Sequence, residues 1–309
     1  MKLVIGLCFV VLFHGFLNEL MSERVAWASG SASAKKYTVT VSHSGLVQLA
    51  QAIFPSGTEV LSFVPPGASA ETFDPSPQAI LKVNQSQYFF ASAVPFEKVW
   101  LPKLVQGHRN TKFVDLFSQT QDGEALNKNS HAHDHRRDNQ HDHVHDDPHF
   151  WLVPRNLQRA AQIMAAELAK VLDAHEKEQL EQRLKVELAS LEKLDAQLRE
   201  MFKPFKGKSF FIFHPSWGEF AESYEIGQEA LEKYGHSPTP KFMQGFLELM
   251  KKQQAKTIFV QPQMSQKEAL TVAAQVGAKL ESVDPLALDL KAEIRRFAEL
   301  VRKDFESRK

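Results

Sequence analysis

Four residues able to bind a metal stand out in the sequence, two of them directly after predicted strands. His214 directly follows the apolar run Phe210-Phe211-Ile212-Phe213, and Asp284 directly follows Leu280 to Val283. Glu71 lies in a Pro- and Gly-containing loop, Pro66 to Pro77, after a predicted strand ending near Val64. His149 lies in Asp147-Pro148-His149-Phe150-Trp151. Two come from each half of the chain. Four nitrogen and oxygen donors from separate segments could form a closed tetrahedral site for a divalent metal. Spacing alone leaves the plainer reading open, because His, Asp and Glu also close strands for structural reasons. The single cysteine, Cys8, excludes an intramolecular disulfide and a thiolate zinc cluster.

Other histidines cluster. His131, His133, His135, His141, His143 and His145 alternate with Asp134, Asp138, Asp142 and Asp146. Imidazoles at such short spacing bind metal by composition, with modest affinity because ordering the segment costs entropy. A solvated linker is the alternative. His43 follows the first predicted strand and could face a cleft, as a neighbour of the site or an alternative ligand. His108, His175 and His236 read as surface or loop residues, and Trp151 and Trp217 as packing around the motifs.

These residues need a scaffold. Strands are predicted at Tyr37–Val41, Glu59–Val64, Tyr88–Ala91 and Phe113–Leu116, with helices near Leu46–Ile53 and Ser76–Val83 between them. Such alternation implies parallel βα units. Residues 119–147 are polar and cannot bury a core. A helix over Asn156–Leu172 follows. Asp173 and Glu176 then form a capping-box pattern, opening a helix over Ala174–Phe202 with leucines at intervals of three and four. At about 1.5 Å per residue it is roughly 43 Å long. It serves as a strut between halves or as a coiled-coil segment. A second α/β half has strands at Ser209–Phe213, Thr257–Val260 and Lys279–Val283, and helices at Trp217–Glu222, Lys241–Lys251, Gln266–Val276 and Leu290–Phe305. The expected organisation is a signal peptide (1–28), an N-terminal α/β lobe (36–172), a linking helix (173–203) and a C-terminal α/β lobe (204–309). The fold class is thus α/β: two parallel-sheet lobes joined by one long rigid helix, with a cleft between them.

The apolar run Leu3–Phe13 and Ala26-Trp27-Ala28 read as an export signal with its cleavage site, so the mature chain is expected to be soluble and periplasmic. Lys+Arg and Asp+Glu are 37 each. That balance argues against a general nucleic-acid binder.

Taken in order, Pro66-Gly67…Phe73-Asp74-Pro75-Ser76-Pro77, Asp147-Pro148-His149-Phe150-Trp151, Phe213-His214-Pro215 and Asp284-Pro285-Leu286 resemble the marks of the solute-binding proteins of metal-specific ABC importers, of the cluster A-I or zinc-binding-protein-A type. The strut helix and the His-rich loop fit too, and the resemblance runs from about Lys36 to the C-terminus. It implies a receptor rather than an enzyme, monomeric, handing its metal to a membrane permease. It also implies a metal held between the lobes by Glu71, His149, His214 and Asp284. The chain departs from the pattern at Glu71, where the family usually has His, and at Gln261, where it often has an acid. Imidazoles favour Zn2+, while carboxylates also suit Mn2+ or Fe2+. A zinc buffer or storage protein and, further off, a zinc hydrolase with Glu71 as general base are the other classes.

Overall fold

The computed structural model describes residues 37–107, 110–120, 147–232, 239–264 and 266–308. The expected signal peptide, the six clustered histidines, His108 and His236 lie outside them.

Two four-stranded parallel sheets dominate. The first contains β1 (Tyr37–His43), β2 (Thr58–Val64), β3 (Tyr88–Ala91) and β4 (Lys112–Asp115) in the order β2-β1-β3-β4. The second contains β5 (Ser209–Ile212), β6 (Gly227–Ala230), β7 (Thr257–Val260) and β8 (Lys279–Ser282) in the order β6-β5-β7-β8. Burial explains the order. The inner strands β1, β3, β5 and β7 are buried along their whole length, as expected of parallel strands covered on both faces. The outer strands are partly exposed. In each sheet the chain runs outward, then crosses back over its starting strand. The crossing creates a switch point beyond the strand ends, between β1 and β3 and again between β5 and β7, where ligands bind in open α/β sheets.

The helices in the first half are α1 (Val47–Ile53), α2 (Pro77–Val83), α3 (Pro95–Gly107) and α4 (Pro154–Leu168). The strut is α5 (Ala174–Phe202), followed by α6 (Gly218–Ser223), α7 (Pro240–Lys252), α8 (Gln266–Val276) and α9 (Leu290–Ser307). The capping box at Asp173 and Glu176 is formed, both halves of it hydrogen-bonded. Leu180, Leu191, Leu194, Leu198 and Phe202 are buried on one face of α5. That face packs against α1 and α4 of the first half and α9 of the second. Glu187, buried in mid-strut, accepts from Lys291 Nζ of α9 at 2.7 Å. One apolar core therefore continues from Val39 through Leu191 to Phe297, and a second, around Phe211, Phe246 and Ile258, lies on the other face of the second sheet. The leucine stripe is used inside the molecule, as a strut requires.

Two elements depart from expectation. Helix α3 carries Pro102 in its interior, which interrupts the helical pattern. Strand β6 has the sequence GQEA, with no β-branched residue, and is ordered by pairing to β5 rather than by propensity. A Cβ on Gly227 would fall 2.3 Å from Ser209 Oγ, so close pairing here needs glycine. Strand β1 also runs two residues beyond its expected end, carrying Ser42 and His43 into the interior.

Candidate metal centre

His214 stands just past β5 and is held from both sides. Phe213 N donates to Phe259 O at 2.8 Å, and Glu232 N donates to Phe213 O at 2.8 Å. Its ring is buried between two carboxylates: Nε2 meets Glu71 Oε1, and Nδ1 lies 2.6 Å from Glu232 Oε2. Burial opposes its charge, but the bonds to Glu232 and Glu71 outweigh burial and push its pKa up to about 9. Glu71 is held below the usual carboxylate range: burial works against ionisation, and His214 overcomes it. A cation binding at Nε2 takes the place of the proton there.

His149 precedes a 3-10 turn at Phe150–Leu152 that leads into α4. Its Nδ1 lies 2.6 Å from Asp147 Oδ1, which also accepts from His149 N at 3.0 Å. Asp147 further accepts the backbone N–H of Glu219 in α6. Burial raises the Asp147 pKa, but the charge and hydrogen bonds of His149 prevail and lower it. The neighbouring Gly218 has no room for a side chain, since a Cβ would lie 2.6 Å from Asp147 Oδ2. With Nδ1 engaged, Nε2 is the nitrogen left to bind a ligand, the arrangement common for metal-binding histidines. The His149 and His214 ring centroids are 6.3 Å apart.

Asp284 follows β8. Its Oδ1 accepts from Gln263 Nε2 and from Leu286 N, both at 3.0 Å, and its own N donates to Glu293 Oε1 at 2.8 Å. Trp151 ties this segment to His149, donating from Nε1 to Pro285 O at 2.8 Å. Ser44 Oγ donates to Leu286 O at 2.5 Å. The end of β1, the His149 turn and the Asp284 turn thus meet at one place.

Of the four expected donors, Glu71 and His214 touch, and His149 stands beside them. Asp284 is joined to the group through Trp151. Among the described residues no three His, Cys, Asp or Glu side chains close on one point tightly enough to hold an ion, so binding requires the donors to draw together. Reading the sequence for donors missed the groups that orient them. Asp147 was visible within its motif. Glu232 lies 18 residues from His214, with no periodic or motif signal, and Gln263 and Glu293 are equally unmarked. Gln261 is buried, and its Nε2 has no hydrogen-bond partner among the described residues.

His43 is 0 % exposed, and neither ring nitrogen has a hydrogen-bond partner among the described residues. Its ring packs on Trp151 with centroids 4.2 Å apart, and Trp151 packs on His149 at 5.1 Å. Burial, reinforced by His149, pushes the His43 pKa down to about 3.

Two parallel lobes on one long helix, with imidazoles and carboxylates from both gathered beyond the strand ends, define a metal-binding solute receptor of the ABC-importer type. The family model described as zinc-uptake complex component A periplasmic, ZnuA, matches residues 39–307. The chain belongs to this family, whose members are extracytoplasmic receptors for zinc or manganese that work with a membrane permease. It is 26% identical over 274 residues to the high-affinity zinc uptake system protein ZnuA of Bacillus subtilis (strain 168), covering 83% of this chain and 81% of that protein. It is 24% identical over 278 residues to the manganese ABC transporter substrate-binding lipoprotein PsaA of Streptococcus mitis, covering 85% and 84%. A crystal structure of ZnuA superposes with a TM-score of 0.74 at 28% identity, covering 87% of this chain and 99% of that one. Among the described residues, no helix is long and apolar enough to cross a membrane.

Proposed function

We propose that this chain is a periplasmic zinc receptor that binds one Zn2+ through Glu71, His149, His214 and Asp284 and delivers it, as a monomer, to its permease. The observation that carries the reading is the pairing of two oriented imidazoles from opposite lobes: His149 fixed by Asp147 and His214 fixed by Glu232, 6.3 Å apart. Two imidazoles and two carboxylates suit zinc and balance its charge. The N-terminal signal, cleaved near Ala28, accounts for export. The His-rich segment serves as a weak capture site feeding the tight one.

Calorimetric titration with Zn2+ and Mn2+ in turn, beside Glu71→Ala, tests the assignment. One tight zinc site, weakened strongly in Glu71→Ala, is the expected result. Tighter binding of manganese overturns the zinc assignment in favour of a manganese receptor. Several weak zinc sites, abolished by deleting 127–146, overturn the receptor reading in favour of a buffer.

A further inference from the structure

We propose that His43 is a further nitrogen donor to the bound metal, giving the site three imidazoles and biasing it toward zinc over manganese. The inference rests on the zinc-receptor reading above and adds a ligand to it.

His43 ends an inner strand of the first sheet, beside the switch point, and pairs in register with Val64 at the start of the loop that carries Glu71. Its ring lies against Trp151, which lies against His149 and bonds to Pro285, next to Asp284. Its neighbour Ser44 bonds to Leu286. His43 therefore occupies the place where the segments bearing three of the four proposed ligands converge.

The His43 ring is also unsatisfied among the described residues. Buried polar groups are nearly always hydrogen-bonded, and an exception calls for a cause. Trp151 packs against the ring, but its N–H is already donated to Pro285 O. Gly45 makes room for it: a Cβ there would lie 3.2 Å from His43 Nδ1 and 3.6 Å from Leu286 Cα. An apolar residue would fill this space without leaving two nitrogens unpaired.

A metal ligand must present a lone pair, so imidazole binds in its neutral form. Burial, reinforced by His149, holds the His43 pKa down at about 3, so its ring is neutral near pH 7. Zinc accepts a fifth donor, and each imidazole moves a site away from the all-oxygen surroundings that suit manganese.

X-ray absorption at the zinc edge, on the full chain with one equivalent of Zn2+, tests this beside His43→Phe, which keeps an aromatic ring on Trp151. The expected imidazole count falls by one in the variant. Zinc affinity falls at least by the roughly 10–100-fold that losing a partner behind a ligand costs, and Mn2+ affinity holds. His43→Asn, smaller than the native ring, makes the same test should the phenylalanine prevent folding. An unchanged imidazole count with unchanged zinc affinity overturns the inference. A wild-type chain with one tight zinc and only two imidazoles overturns it while leaving the receptor reading standing. A wild-type chain with no tight zinc site overturns both.

Discussion

His43 and His214 stand at the C-terminal ends of the first strands of two sheets with the same strand order, yet their surroundings are opposite. His214 lies between Glu71 and Glu232 and is pushed up to about 9. His43 lies against Trp151 with neither nitrogen paired among the described residues and is pushed down to about 3. Fold position is thus shared and chemistry is not. A parallel sheet delivers a side chain to the crevice beyond its strand ends, and the loops beyond decide whether it arrives as a cation or as a neutral base. In the second lobe the segment after β6 supplies Glu232. In the first lobe the segment after β2 sends its carboxylate, Glu71, across to His214, and no carboxylate among the described residues bonds to His43.

The sharpest way to break this contrast is to remove the paired member. His214→Ala deletes a proposed ligand and is expected to abolish tight zinc binding in competition with a chromophoric chelator; retained tight binding would place the ion elsewhere. Glu232→Gln leaves the ring but removes the charge behind it. Zinc affinity is expected to fall about 10–100-fold, and a larger loss of stability than of affinity would make Glu232 a folding residue instead.

The two rings also give opposite slopes of folding stability against pH, read in chelator from urea midpoints. The unfolded chain takes up a proton on His43 near pH 6.5, whereas the folded chain refuses it until about 3. Stability from this group is therefore lost as pH falls from about 6.5 toward 3. The folded chain keeps a proton on His214 up to about 9. Its contribution is full below 6.5 and is lost as pH rises through 9. His43→Phe should flatten the acid arm alone, and an acid arm unchanged by that substitution would mean other groups set it. The smallest expected effect is that of Gly45→Ala, whose new methyl presses on the His43 ring. Overpacking of this kind costs on the order of 1 kcal/mol, readable as a lower melting temperature.

Much of the scaffold was legible because its signals are local. Tyr88–Ala91 and Thr257–Val260 are compact apolar strands, and the Ala174–Phe202 helix announces itself by its cap and its leucine spacing. Strand β6 was not legible, because Gly227 to Ala230 become a strand only through pairing with β5. Helix α3 was hidden by Pro102. The same division holds at the site. Glu71, His149, His214 and Asp284 sit in motifs, while Glu232, Gln263 and Glu293 act through contacts that chain spacing does not encode. His43 stood at a visible strand end, but its lack of partners is a property of packing alone.

Trp151 closes on both imidazoles of the first lobe and hydrogen-bonds to the turn bearing Asp284. An indole in that position is a built-in optical reporter. Its emission depends on the charge of the rings packed against it and on the strength of its N–H bond, and an ion arriving at His149 perturbs both. Loading and unloading of this receptor can therefore be timed by stopped-flow fluorescence on the unlabelled chain, with Trp151→Phe as the control that removes this indole's share of the signal from that of the other tryptophans, Trp100 and Trp217 among them.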